Sequence, residues 1–250
     1  MKPDLPLFIG ATTLNTRDTI ERITYLRDID VRGVLLGRPF WSEMGAEAML
    51  GFYRDTAETF PDISFVLYDN PEAFKGPIPT PVYARLATIP NIIGAKYMSL
   101  TPKYRADIGA VQGKMRLLPL ELDWFMAHML FPEQVLAGWS GSVICGPGPV
   151  LYLREALRRK DYDAARWITS RMDWSTETYL ARQDFREFSK YNIPIAKARF
   201  NEAGYINSGP TRSPYHITPS VYMEGARESG RRWQQLIQEV ASVRKNASTH

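Results

Sequence analysis

Cysteine is nearly absent from this chain: Cys145 is the only one among 250 residues. An internal disulfide framework is therefore excluded, and the composition suits a reducing cytoplasm. Histidine is almost as scarce. His128, His216 and His250 stand far apart with no cysteine near the first or last two, so a zinc cluster is not expected. No apolar run is long enough to span a bilayer, and the Met-Lys-Pro-Asp-Leu-Pro start lacks a signal-peptide core. No G-x-G-x-x-G follows the first apolar run, and no P-loop occurs, which removes support for nucleotide binding. Internal repeats and low-complexity tracts are also missing.

What remains is an ordinary globular balance. The chain is 44% hydrophobic and 23% charged, which is ample for a sizeable core. Its formal net charge is +4, but the basic residues are scattered. The densest cluster, Arg154 to Lys160, is interleaved with Glu155 and apolar residues, as on a solvated helix face. A nucleic-acid surface needs a concentrated stripe, so no nucleic-acid or membrane partner is expected.

Short apolar runs alternate with amphipathic stretches over the first two-thirds. Leu7 to Ala11, Val34 to Gly37, Phe65 to Tyr68, Ile92 to Lys96, Arg116 to Pro119 and Val135 to Trp139 read as six strands. Between them, Thr16 opens one helix and Ser42 to Thr59 forms the next. Thr80-Pro81 and Thr101-Pro102 each supply a hydroxyl cap with proline at the first helical position. Apolar strands separated by helices indicate a parallel sheet, either doubly wound or a (β/α)8 barrel. After about residue 147 the pattern is helical only: Val150 to Arg159, Ala164 to Arg182, Phe185 to Ala203 and Val221 to Val243. Gly204 to Pro219 is a turn-rich connection.

Two strand ends carry residues with chemical potential. Lys96 ends the fourth strand, and period-two alternation places it on a face with Gly94 and Ile92. A buried lysine loses charge readily, and a neutral amine can form an imine with a ketone. The competing reading is that Lys96 simply emerges into solvent. Tyr68 ends the preceding strand, on a face with Val66 and Asn70. Adjacent parallel strands lie about 4.8 Å apart, so both side chains can converge on one small molecule. A phenol there can relay a proton, or it can be a core tyrosine with its hydroxyl at the rim.

Tyr68-Asp69-Asn70-Pro71 followed by Ile93-Gly94-Ala95-Lys96-Tyr97 resembles the paired Y-x-x-P and G-x-K signature of the dihydrodipicolinate synthase / N-acetylneuraminate lyase family. The likeness narrows to one subgroup. Gly10 to Arg17, Asn70 to Lys75, Ala95-Lys96-Tyr97, Cys145-Gly146-Pro147 and Glu187 to Ile193 are similar to the trans-o-hydroxybenzylidenepyruvate hydratase-aldolases. The resemblance implies a (β/α)8 barrel, a lysine that forms an imine with pyruvate, a proton-relaying tyrosine, and no metal or cofactor. It implies hydration and cleavage of an aryl-substituted unsaturated pyruvate in aromatic catabolism, by a homo-oligomer. Carried over residue by residue, Lys96 and Tyr68 are catalytic, and Asn70, Trp139, Ser189 and Asn192 bind substrate. Trp139 is equally readable as a core residue, and Ser189 and Asn192 as surface hydrogen-bonding groups.

Counted back from Lys96, this chain has three strands where the family has five. Two βα units and the family's G-[TS]-x-G-E-like carboxylate loop have no counterpart here. The expected architecture is a barrel lacking its first two βα units over residues 1–148, followed by the last barrel helix and a helical region over 149–250. An open sheet of this kind exposes apolar edges. Two other readings stay open: a family enzyme acting on a sugar-derived keto acid, and a non-catalytic barrel fragment.

Overall fold

A computed structural model describes residues 5–247. They form two compact units, one ending at Trp139 and the other beginning at Ser140.

The first unit is a run of βα repeats. Its elements are β1 (Phe8–Gly10), α1 (Thr16–Asp28), β2 (Gly33–Leu36), α2 (Ala46–Thr59), β3 (Ser64–Tyr68), α3 (Thr80–Leu86), β4 (Ile92–Lys96), α4 (Pro102–Val111), β5 (Arg116–Leu118) and α5 (Glu121–Leu130). The five strands pair in sequence order, and every pair is parallel. Strand alternation divides the side chains between two faces. Val34, Leu36, Phe65, Leu67, Ile92, Ala95 and Leu117 are buried. Burying each of the larger ones contributes about 1.5–3 kcal/mol, so this face fixes the register. Leu35, Val66, Tyr68 and Lys96 lie on the opposite face and are only half-buried.

Local chemistry sets the helix starts. Asn15 caps α1 by accepting from the Asp18 N–H at 2.9 Å, and Thr101 caps α4 through the Tyr104 N–H. The expected Thr80 cap is not found. Pro79 occupies that position, and the Thr80 hydroxyl instead donates to Asp107 on α4 at 2.5 Å. The helix expected from Ser42 begins only at Ala46, after an N-cap Gly45 with no side-chain bond.

Two further expectations are corrected. Val135 to Trp139 is not a strand; only a single parallel bridge joins Leu120 to Trp139. The Trp139 N–H donates to the Pro119 carbonyl at 2.9 Å, but Pro119 has no N–H to extend the ladder. Ile92 also does not share a face with Lys96. Phe65 pairs with Ile92 while its neighbour Val66 pairs with Gly94, so Ile93 is an extra residue that reverses the alternation. The five strands and the Trp139 bridge make six successive parallel strand positions, each strand followed by a helix as in a (β/α) barrel.

The second unit is helical: a 3-10 turn (Ser142–Cys145), α6 (Gly148–Arg159), α7 (Tyr162–Thr176), α8 (Leu180–Gln183), α9 (Phe185–Ala203) and α10 (Ser220–Ala247). The helix expected over Ala164 to Arg182 breaks after Thr176. There the Ser175 hydroxyl bonds back to the Met172 carbonyl and the Thr176 hydroxyl to that of Asp173, while Thr178 bonds to Gly225 of α10. The long α9–α10 contact depends on Gly230, where a Cβ would lie 2.6 Å from the Arg199 carbonyl oxygen. Trp233 of α10 is fully buried and donates its indole N–H to Gly146 at 3.0 Å. Cys145 is buried. No helix among the described residues is long and apolar enough to cross a membrane.

Candidate active site

Four of the six residues singled out in the sequence meet at the carboxyl ends of the strands. Tyr68 and Lys96 are direct register partners across β3 and β4. Lys96 Nζ lies 4.3 Å from the centroid of the Tyr68 ring and 3.8 Å from that of Trp139. The amine therefore sits between two aromatic rings. Asn70 donates from Nδ2 to the Tyr68 hydroxyl at 3.2 Å. Ser189 and Asn192 lie on α9 of the second unit, both exposed, and the Ser189 hydroxyl bonds back to the Arg186 carbonyl at 2.7 Å.

Each ring is held from behind. Tyr68 meets the edge of Phe74, with centroids 5.6 Å apart and planes at 89°. Phe74 fits there because Gly37 has no side chain; a Cβ at Gly37 would collide with the Phe74 ring and come within 2.8 Å of the Thr12 hydroxyl. Trp139 is fixed by its indole N–H, which donates to the Tyr97 carbonyl at 2.7 Å.

Burial pushes the Lys96 amine below the ordinary lysine range, and this is the dominant influence. The Tyr68 hydroxyl and the buried Glu121 carboxylate, in the first turn of α5, act in the opposite direction. Ring faces also favour an ammonium, by about 0.5–2 kcal/mol each. The site can thus host a neutral, nucleophilic amine and can also stabilise a cation that later forms on the same nitrogen.

The residues following Tyr68 and Lys96 point the other way, into a buried polar layer. Asp69 accepts from the Tyr83 hydroxyl at 2.8 Å and from the Ile78 N–H, with Arg38 3.9 Å away. Burial raises the Asp69 carboxyl above the usual carboxylate range. Tyr97 donates its hydroxyl to Asp107 at 2.6 Å, and Asp107 also accepts from Thr80 and from Lys103, both at 2.5 Å. Sequence reasoning did not single out Asp69, Tyr97, Asp107 or Glu121 as functional. The signal for the first and second was adjacency, since alternation sends the residue after an inward one to the opposite face. Among the described residues no three His, Cys, Asp or Glu side chains gather as a metal site requires.

Residues 1–111 match the model of the dihydrodipicolinate synthetase family. The chain is 40% identical to a trans-2'-carboxybenzalpyruvate hydratase-aldolase of Nocardioides sp. (strain KP7), over 96% of this chain and 73% of that protein. It is 38% identical to a trans-O-hydroxybenzylidenepyruvate hydratase-aldolase of Sphingobium xenophagum, over 95% and 73%. The solved structure of PhdJ bound to a substrate intermediate superposes with a TM-score of 0.92 at 44% identity, covering 95% of this chain and 74% of that one. A sialic acid aldolase of Ruminococcus gnavus, 15% identical, shares the fold with a TM-score of 0.76, over 97% and 77%. With such identity over most of the relatives' length, and the paired strand-end lysine and tyrosine in register, the chain belongs to the dihydrodipicolinate synthetase family, among its hydratase-aldolases.

Proposed function

We propose that this chain is an imine-forming hydratase-aldolase acting on an aryl-substituted, α,β-unsaturated pyruvate. The supporting observation is the placement of Lys96 Nζ between the faces of Tyr68 and Trp139, with burial lowering the basicity of the amine. The relatives' names supply the substrate class: hydroxybenzylidene- and carboxybenzalpyruvate.

The chemistry follows from that placement. The neutral Lys96 amine attacks the substrate's keto carbon, and loss of water gives a protonated imine. This cation withdraws electrons through the conjugated double bond. Water adds at the aryl-bearing carbon, and a proton is taken up at the neighbouring carbon. In the second half, Tyr68 removes the proton of the new hydroxyl, directly or through water. The carbon–carbon bond breaks, its electron pair passes into the imine to give an enamine, and an aryl aldehyde leaves. Protonation of the enamine and hydrolysis release pyruvate and restore Lys96. One water is consumed overall, and no redox partner is required.

In this reading Trp139 packs against the aryl ring, Asn70 holds a substrate oxygen beside the Tyr68 hydroxyl, and Ser189 and Asn192 contribute polar contacts. Residues 1–148 act as the partial barrel, and 149–250 as its last helix and a helical region. A homo-oligomer in the cytoplasm belongs to the same reading. Borohydride reduction in the presence of pyruvate tests it: a stable adduct is expected on Lys96, and an adduct on another lysine with Lys96 unmodified overturns the assignment.

A further inference from the structure

Tyr97 sits at the crossing of three separate constraints. Its carbonyl accepts the indole N–H of Trp139 at 2.7 Å, and its own N–H donates to the Leu118 carbonyl at 2.8 Å. Its hydroxyl, buried, donates to Asp107 at 2.6 Å. Its ring lies between Tyr83 and Tyr104, with centroids 6.1 and 4.9 Å away. The Tyr83 hydroxyl in turn donates to Asp69, the residue after Tyr68, at 2.8 Å. The residue next to the lysine thus carries the acceptor that orients the ring covering the lysine.

Asp107 is built to hold Tyr97 still. It has no solvent exposure, and one of its oxygens is shared by the Tyr97 hydroxyl and the Lys103 ammonium while the other receives Thr80. Bonds to an ionised acceptor are short and about twice as strong as neutral ones. The Trp139 backbone is tied to its surroundings more sparsely, by a single bridge to Leu120. Its ring direction therefore depends on where the Tyr97 carbonyl points.

We propose that Tyr97, clamped by Asp107, is a positioning residue that sets the angle of Trp139 over Lys96 and so the rate at which the amine captures a keto acid. The inference rests on the reading of Lys96 as the imine-forming residue. It requires neither Tyr97 nor Asp107 to touch substrate. Positional errors of about 1 Å at a reacting centre cost on the order of a hundred-fold in rate, so a partial loss of ring orientation should cost roughly ten-fold.

The test is a cycle of Tyr97→Phe, Trp139→Phe and the double variant in the full chain. The readouts are the rate of borohydride trapping of pyruvate on Lys96, located by mass spectrometry, and the thermal unfolding midpoint. Tyr97→Phe keeps both ring contacts and leaves Asp107 with Thr80 and Lys103. Trp139→Phe keeps an aromatic ring, though a smaller one, and removes the donor to the Tyr97 carbonyl. Each single variant is expected to slow trapping roughly ten-fold, and the double variant to be no slower than either, because both act through one contact. Multiplied effects in the double variant, or a lowered unfolding midpoint with unchanged trapping by the folded protein, overturn the proposal. If Tyr97→Phe does not fold, Trp139→Phe decides alone: wild-type trapping in that variant overturns it. An unlabelled Lys96 in the parent chain refutes the Lys96 reading and this inference with it, whereas a labelled parent with unaffected variants refutes this inference alone.

Discussion

Tyr68→Phe separates chemistry from packing, because the structure assigns the ring and the hydroxyl different tasks. The ring meets Phe74 edge-on and offers a face to Lys96. Phenylalanine keeps both contacts. The hydroxyl loses one 3.2 Å bond from Asn70 and its contact with Lys96. A half-buried hydroxyl with such partners contributes about 0.5–1.5 kcal/mol to stability, and a chain of this size loses about 2–4 °C per kcal/mol. The unfolding midpoint should therefore fall by no more than about 6 °C. Removing a general acid–base group instead costs two orders of magnitude or more in turnover, about 2.7 kcal/mol of barrier. The pH response sharpens the test. The Tyr68 hydroxyl holds the Lys96 pKa up against burial, so its removal lets that pKa fall further and moves the rise of pyruvate trapping to lower pH. More neutral amine is then present at any given pH, yet aldehyde release, followed by absorbance of the aryl aldehyde, is expected to be slower. Turnover within two-fold of the parent, or a shift of the trapping profile to higher pH, would refute the reasoning.

Lys96→Met should abolish trapping and raise the unfolding midpoint at neutral pH. An amine whose pKa is lowered by burial makes the fold less stable below that pKa, with stability regained as pH rises toward the ordinary lysine value; thermal scans across pH should show that slope only in the parent. Trp139→Ala should reduce use of an aryl substrate at least ten-fold more than it slows pyruvate trapping, since aryl contact is lost in addition to ring orientation; equal losses in paired assays would refute the aryl contact and leave Trp139 only its place over Lys96. Asp69 has the opposite sign from an ordinary ion-paired carboxylate. Its pKa is raised by burial, so the parent should lose stability as pH climbs from the normal carboxylate range through the raised value, and Asp69→Asn should flatten that part of the denaturant midpoint–pH curve. An unchanged curve would show that the Arg38 and Tyr83 contacts offset the burial.

The strands were legible because one face of each is continuously apolar, and Phe65, Leu67 and Ala95 are buried as that pattern requires. The Lys96–Tyr68 pair was legible because both residues end strands on the sheet face away from that core. Ile92 was misplaced because alternation was counted without the extra residue Ile93, which no local sequence signal marks. The last strand failed at Pro119, where one missing N–H ends a ladder whose apolar pattern continues to Trp139. Thr80 read as a cap from its local sequence, but its hydroxyl found a charged acceptor 27 positions away. Asp107 left no trace in the sequence at all. An aspartate inside an amphipathic helix reads as solvent-facing, and only the tertiary fold brings Tyr97, Thr80 and Lys103 around it.

The additional residue at Ile93 is a spare step in the strand that carries the lysine. Three steps separate Phe65 from Tyr68 while four separate Ile92 from Lys96, so deleting Ile93 would leave a regular ladder with Phe65 still opposite Ile92 and the amine still opposite Tyr68. The face that Lys96 presents is therefore set by its pairing with Tyr68 and not by its distance along the strand from Ile92.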